Sequence, residues 1–179
     1  MKTLGISKFL KWGSVMLLAV LAGCSTIDAS NSPALTKADG LAVLPIANYT
    51  ETPDAGQRAQ SIAQSILHQK GFSGLQAYPN SDGADSLVGG NSDQTRTQAL
   101  DWARNTGAHY ALSGSVQEWR YKVGVDGEPV VGLTFNLIDL KSGAIVWSAT
   151  GSRSGWSRSS VAGVGQTLIR QLLSPLTPR

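Results

Sequence analysis

The chain of 179 residues has few of the side chains from which catalytic and metal sites are built. It contains one cysteine, Cys24, and two histidines, His68 and His109. A zinc site needs several imidazole, thiolate or carboxylate ligands that converge, and the two histidines fall on different predicted elements. No Gly-x-Ser-x-Gly sequence singles out a nucleophilic serine. The sequence therefore predicts a protein that is not an enzyme, with no cofactor and no bound metal.

The first 23 residues lack acidic side chains and have the organisation of a secretory signal. Three lysines precede a short apolar run over residues 15–20, and small residues follow it. The sequence Leu-Ala-Gly-Cys that ends at Cys24 resembles the bacterial lipobox, which implies cleavage before Cys24 and acylation of its thiol and new amino group. The alternatives are an ordinary signal peptide with an unrelated cysteine, or a transmembrane anchor, for which the run is too short.

Removal of this segment also removes the basic excess of the chain. The whole sequence has a formal net charge of +3 and a pI of about 9.2. Three of its 15 lysines and arginines precede Cys24 but none of its 12 acidic residues does, so the mature chain carries 12 of each. A neutral mature chain gives no reason to expect a nucleic-acid partner.

Three regions follow from this organisation. Residues 1–23 are the predicted lipoprotein signal peptide, residues 24–39 a lipidated tether rich in small polar residues, and residues 40–179 a single α+β periplasmic domain. Ser25 follows Cys24 where inner-membrane lipoproteins of enteric-type bacteria often carry Asp. The resemblance to lipoproteins thus implies the periplasmic face of the outer membrane, where two or more acyl chains give stable anchoring.

The periodicity of apolar residues predicts the element order β-α-β-α-β-β-β-α. In the first half the predicted elements are a strand over 41–46, a helix around 59–67, a strand over 72–78 and a helix from about 93 to 103. Three strands then form an antiparallel meander, with a bulge near Gln117 or Glu118 and a hairpin turn at Asp126-Gly127. A last helix follows, with Ser157 or Ser159 as its cap. This order fits a two-layer α+β sandwich whose mixed sheet is covered by helices on one face.

Trp156 is the least easily explained aromatic residue. It lies between Gly155 and Ser157 at a strand-to-helix junction, whereas Trp119 and Trp147 are expected to pack in the core or on the sheet. An exposed indole on a membrane-anchored domain suits the headgroup interface. Equally, Trp156 could pack the last helix against the sheet, and the residues alone leave both alternatives open.

The last third of the chain resembles the PelC family of outer-membrane lipoproteins, which serve the secretion of the Pel exopolysaccharide. The resemblance is carried by Glu-Trp-Arg-Tyr-Lys-Val-Gly-Val-Asp-Gly-Glu-Pro over 118–129 and by Trp-Ser-Ala-Thr-Gly-Ser-Arg-Ser-Gly-Trp-Ser-Arg over 147–158. It implies a fold similar to the N-terminal domain of TolB. It also implies a dodecameric ring at the periplasmic mouth of the PelB β-barrel, which guides a cationic exopolysaccharide needed for the biofilm matrix.

The same resemblance implies roles for individual residues. Asp126 would carry the acidic role on one ring face, where it attracts the polymer, and Trp156 the membrane role on the other. Glu128 is added on charge alone. For Asp126 the alternative is that Asp-Gly is simply favourable turn chemistry. Arg153 and Arg158 flank Trp156 and are candidates for contacts between subunits, for lipid phosphates, or for plain solvation.

A second functional class is an outer-membrane lipoprotein that activates a peptidoglycan synthase or another envelope partner. Such a protein needs a long tether to cross the periplasm. The 15 residues from Ser25 to Asp39 would span only about 20 Å as a flexible chain. The short tether favours a domain that stays at the membrane.

Overall fold

A computed structural model of the protein describes residues 25–79, 92–124 and 127–179. Six strands and three helices lie in these ranges. They are β1 (Ser25–Ala29), β2 (Leu41–Asn48), α1 (Ala55–Gln69), β3 (Leu75–Ala77), α2 (Ser92–Asn105), β4 (Tyr110–Tyr121), β5 (Pro129–Asp139), β6 (Ile145–Ser154) and α3 (Val161–Leu172). Apart from β1, their order is the one that the sequence predicts.

All six strands form one mixed sheet in the order β1-β6-β5-β4-β2-β3. Strand β2 runs parallel to β3 on one side and to β4 on the other. Strands β4, β5 and β6 form the predicted antiparallel meander, and β1 pairs antiparallel with β6 at the edge. The α+β class and the mixed sheet are thereby confirmed.

The segment predicted as a flexible tether is instead folded onto the domain. Ser25–Ala29 forms β1 in register with Ala149–Arg153 of β6. Leu35 is 2% exposed, and its carbonyl oxygen accepts a hydrogen bond of 2.9 Å from the backbone N–H of Arg179. All five β1 side chains are exposed. Strand β1 therefore has no buried face that alternating apolar residues would reveal in the sequence. It is held by main-chain hydrogen bonds to β6.

Helices α1 and α3 cover one face of the sheet and enclose the main core. That core contains Leu112, Leu133, Phe135, Trp147 and Leu168, all 1% exposed or less. The apolar residues of α3 and those at the odd positions of β5 point into it.

Helix α2 packs against the opposite face, whereas the sequence interpretation placed the helices on one face. Ala99 and Ala103 of α2 contact a second, smaller cluster that contains Ala42 and Leu44 of β2. The neighbouring residues Leu41 and Val43 belong to the main core. Because successive side chains of a strand point to opposite faces, the apolar run at the start of β2 is buried on both.

Two local features bear on the end of the sheet where β4 and β6 finish, which is described below. The β4–β5 register shifts between Val116 and Glu118, which confirms the predicted bulge and returns Trp119 to the core face. Helix α3 is capped by Ser160, whose side chain accepts a 3.0 Å hydrogen bond from the backbone N–H of Gly163. The prediction of Ser157 or Ser159 as the cap was therefore wrong. The N–H of Ser159 instead donates a hydrogen bond to the carbonyl oxygen of Trp156 in the preceding turn.

Candidate functional site

The candidate site is the end of the sheet where β4 and β6 finish and β1 and β5 begin. Tyr121 of β4 stands opposite Pro129 of β5, and the carbonyl oxygen of Pro129 accepts a 2.9 Å hydrogen bond from the N–H of Gly155. Trp156 therefore follows a fixed strand end. We call this region the anchor end and define it by Ser25, Tyr121, Pro129 and the segment 153–160.

Trp156 is 63% exposed at the anchor end. The carbonyl oxygen of Trp156 accepts a hydrogen bond of 2.8 Å from the N–H of Ser159, which closes a tight turn before α3. The other described tryptophans differ: Trp119 and Trp147 are 2% and 1% exposed, and Trp102 makes an edge-to-face contact with Tyr78. An indole that leaves most of its surface in solvent contributes little to holding α3 on the sheet.

Other large side chains with apolar surface are exposed towards the same end of the sheet. Tyr121 ends β4 and Val123 follows it in the hairpin, and they are 51% and 100% exposed. Tyr49 is 71% exposed and lies at the same end, because its N–H donates to the carbonyl oxygen of Val116 beyond the end of β2. Exposed aromatic residues gathered at one end of a domain are typical of an interaction surface.

The predicted lipidation residue, Cys24, lies outside the described residues. Its neighbour Ser25 is described and stands directly opposite Arg153 in the β1–β6 pair. The pairing of β1 thus brings Ser25, which directly follows Cys24 in the sequence, to the same end of the sheet as Trp156.

The two arginines that flank Trp156 have different surroundings. Arg153 is half-buried, and its Nη1 lies 3.5 Å from Oε1 of Gln171 on α3. Arg158 is exposed in the turn before α3. Neither forms an ion pair with a carboxylate in the part of the chain that the structure describes.

Of the two predicted acidic residues, Asp126 lies outside the described residues. Glu128 is described, and its Oε2 is 3.3 Å from Nζ of Lys122 across the hairpin. The backbone N–H of Lys122 also donates a 2.7 Å hydrogen bond to the carbonyl oxygen of Glu128. The ion pair offsets much of the charge that Glu128 would present. Glu128 directly precedes Pro129, so on one subunit it lies at the same end of the sheet as Trp156.

A second polar cluster, at the opposite end of the sheet, was not found from the sequence. Oδ1 of Asp39 is 2.8 Å from Nδ1 of His109, and Oδ2 accepts hydrogen bonds of 2.7 and 2.9 Å from the N–H and hydroxyl of Thr36. The hydrogen bond from His109, followed by that from the Thr36 N–H, lowers the pKa of Asp39. His109 is therefore a structural partner, and His68 is exposed in the last turn of α1, where a helix end favours a basic group.

Within residues 25–79, 92–124 and 127–179, no three or more His, Cys, Asp or Glu side chains come together in a way that would hold a metal ion. Over the same residues, no helix is both long and apolar enough to cross a bilayer. The anchor end presents an exposed indole, the guanidinium group of Arg153 and nearby serine hydroxyls, all of which are groups that can bind a ligand.

Comparison with known proteins gives two related results. The model of the peptidoglycan-synthase activator LpoB matches residues 24–152. Two solved structures of PelC dodecamers from Paraburkholderia phytofirmans are 49% and 50% identical to this chain, and each superimposes with a TM-score of 0.75. Both cover 87% of this chain, which spans 99% and 100% of theirs.

A third structure is more distant. The lipoprotein GNA1162 from Neisseria meningitidis is 16% identical with a TM-score of 0.51, and the match covers 77% of this chain and 97% of that one. At this identity the likeness shows a shared fold alone. A search of curated protein sequences found no match.

Proposed function

Because the chain belongs to the PelC family and also matches the LpoB family model, we propose that it is a lipid-anchored, ring-forming subunit for exopolysaccharide export. The observation that carries this proposal is the identity of 49% and 50% to proteins that form dodecamers, over nearly their whole length. In the proposed assembly the ring lies beneath the outer membrane at a PelB-type β-barrel. It guides a cationic polymer into that channel.

The geometry of the anchor end supports a membrane-facing role for Trp156. The indole of Trp156 is 63% exposed. Ser25 stands opposite Arg153, which precedes Trp156 by three residues in the chain. A lipid on Cys24 would therefore enter the bilayer beside this side chain. Indole rings favour the headgroup region, where the apolar body is buried and the N–H stays hydrated.

The acidic role is proposed for Asp126 more than for Glu128. Glu128 is paired with Lys122, so its carboxylate contributes a partly neutralised charge. A single exposed carboxylate is worth little at physiological salt. The same carboxylate repeated around a closed ring produces a focused field, which raises the local concentration of a polycation.

The second candidate function, activation of a peptidoglycan synthase, is favoured by the match of residues 24–152 to the LpoB model. The folded segment after Cys24 argues against it. Since Ser25–Ala29 is already a strand of the sheet, the domain starts one residue after the predicted lipid. Such a domain stays at the membrane and does not reach across the periplasm.

The first test is the mass of the lipidated protein in detergent, measured by light scattering with correction for bound detergent. We expect a closed oligomer with the subunit number of the PelC dodecamers. A bacterial strain that lacks the gene for this protein should lose exopolysaccharide secretion. Supplying the cloned gene should restore it. A monomer at all concentrations together with unchanged secretion in the deletion strain would contradict the proposal and favour the synthase activator.

A further inference from the structure

A cavity of about 240 Å³ opens beside Trp156 at the anchor end. Its walls come from the end of β6, from the turn before α3 and from the first half of α3. The residues that matter for binding are Arg153, Trp156, Ser159 and Ser160. Among the residues that the structure describes, no carboxylate lines this cavity. A basic side chain, an indole and two serine hydroxyls thus surround one open cavity.

The charge of this cavity is not balanced by the described residues. The guanidinium of Arg153 has one long contact, 3.5 Å to the amide oxygen of Gln171. The nearby acidic residue Glu128 is engaged with Lys122 at 3.3 Å. A guanidinium group has five N–H donors in a planar fork, and one neutral acceptor leaves most of them free for an anion. A phosphate group matches that fork well.

The position of the chain start shows which phosphate reaches the cavity. Arg153 and Ser25 are directly paired across the β1–β6 ladder, and paired Cα atoms in such a ladder are about 5 Å apart. Cys24 precedes Ser25 in the chain, and adjacent Cα atoms are about 3.8 Å apart. A lipid carried by Cys24 therefore holds this cavity at the bilayer surface, where phospholipid phosphates are the most abundant anions.

We propose that this cavity binds the phosphate of a membrane phospholipid, with Arg153 pairing to the phosphate and Trp156 packing against the glycerol and upper acyl region. This inference rests on the proposed function only in requiring that Cys24 is lipidated. It assigns one of the alternatives for Arg153: the side chain contacts lipid and not a neighbouring subunit. Bound lipids then set the tilt of each subunit on the membrane, in addition to the covalent anchor.

The test uses the full-length lipidated protein, purified in detergent, with native mass spectrometry as the readout of bound lipid. Three probes are titrated: dioleoylphosphatidylglycerol, dioleoylglycerol without a phosphate, and inorganic phosphate. We expect saturable binding of the phospholipid and no retained dioleoylglycerol. Arg153→Gln should weaken phospholipid binding by about tenfold, Arg153→Lys should recover a large part of it, and Arg158→Gln should change it less than twofold.

Three results would overturn the inference. They are unchanged phospholipid binding by Arg153→Gln, equal retention of dioleoylglycerol, and displacement of the phospholipid by inorganic phosphate, which would show a site for the free anion. A circular-dichroism melt confirms that each variant is folded. The oligomer mass and the intact mass at Cys24 are read from the same samples. A ring without selective phospholipid binding would refute this inference alone, whereas an unacylated monomer would refute the proposed function.

Discussion

The indole ring of Trp119 lies against the backbone of Gly165, so close that a β-carbon at position 165 would overlap the ring. Trp119 belongs to β4 and is 2% exposed, and Gly165 lies on the buried side of α3. The pair fixes how closely α3 approaches the sheet. Since the turn with Trp156 leads directly into α3, this contact also determines where that turn lies.

Gly165→Ala should lower the free energy of unfolding by about 1–3 kcal/mol, because the extra methyl group forces the indole or the helix to move. Alanine is otherwise the better helix former by about 1 kcal/mol. Gly163→Ala in the same helix is the matched control: that site is exposed, and its nearest contact is the Ser160 hydroxyl at 3.1 Å. Urea denaturation measures both variants. Equal stability of the two would show that Trp119 does not limit the approach of α3.

Trp156→Ala should leave the thermal midpoint within about 2 °C of the parent, because a side chain that is mostly in solvent loses little burial. Exopolysaccharide secretion should fall if Trp156 seats the ring on the membrane. Trp147→Ala is the control in the opposite sense, since Trp147 is 1% exposed and its truncation should cost about 3–5 kcal/mol. A large drop in the midpoint for Trp156→Ala would instead support its role as a packing residue for α3.

Asp126→Asn should retain the fold, since Asn and Asp are both favoured turn residues before Gly. Secretion should fall, because the variant removes one charge from every subunit of the ring. Glu128→Gln provides the comparison and should have the smaller effect, because Lys122 already offsets that charge. Full secretion by well-expressed Asp126→Asn protein would argue against an electrostatic funnel.

Gly151→Ala should detach β1 from the sheet. A β-carbon at 151 would come within 2.7 Å of the Thr26 carbonyl oxygen and 3.1 Å of Ile27 Cγ1. Hydrogen exchange over residues 25–29 should accelerate strongly, with a smaller change at Leu172, which the methyl group also approaches. In the control Gly132→Ala the nearest atom is Glu118 Cβ at 3.4 Å, so exchange in β1 should stay the same. Unaltered protection of β1 in Gly151→Ala would contradict the proposed packing.

The hydrogen bonds to Asp39 should make stability depend on pH. The pKa of Asp39 in the folded protein lies below its usual value of 3.8, chiefly because of the hydrogen bond with His109. A lowered folded pKa means that the unfolded state binds the proton at higher pH. The stabilisation is therefore complete at neutral pH and is lost as the pH falls below about 4 towards the folded pKa.

Asp39→Asn measures this contribution. It should cost about 1–2 kcal/mol at pH 7, from the weakened hydrogen bonds with Thr36 and His109. The difference between parent and variant should shrink as the pH falls below about 4 towards the folded pKa of Asp39, because the parent carboxylate then loses its charge. Urea denaturation from pH 7 to pH 3 gives both values. A difference that does not vary with pH would show that the charge of Asp39 is unimportant.

Several features of the fold could be predicted because their causes are local. The apolar residues Val131, Leu133, Phe135 and Leu137 alternate along the sequence and form the core face of β5, and the bulge expected near Gln117 or Glu118 is present. Gly71 and Gly107 lie just beyond the ends of α1 and α2, and both have the positive φ that is common there. Each of these depends on residues within a few positions of one another, so a pattern along the chain suffices.

Other features depend on partners that are distant in the sequence. The exposed side chains of β1 gave no pattern, because β1 is held by main-chain pairing with β6, whose paired residues lie 120 to 128 positions further along the chain. The contact of Asp39 with His109 joins residues that are 70 positions apart. Neither pairing leaves a local signal.

The sequence by itself determined the element order, and it predicts a secreted, lipidated start of the chain. The element order follows from short-range periodicity. Only the tertiary structure decided that Ser25 and Arg153 are neighbours, and that Trp156 and the cavity beside it therefore lie at the same end of the sheet as Ser25. The physical reason is that β1 is held by hydrogen bonds to the backbone of β6, and backbone groups are the same in every residue, so the amino-acid pattern does not encode their partner.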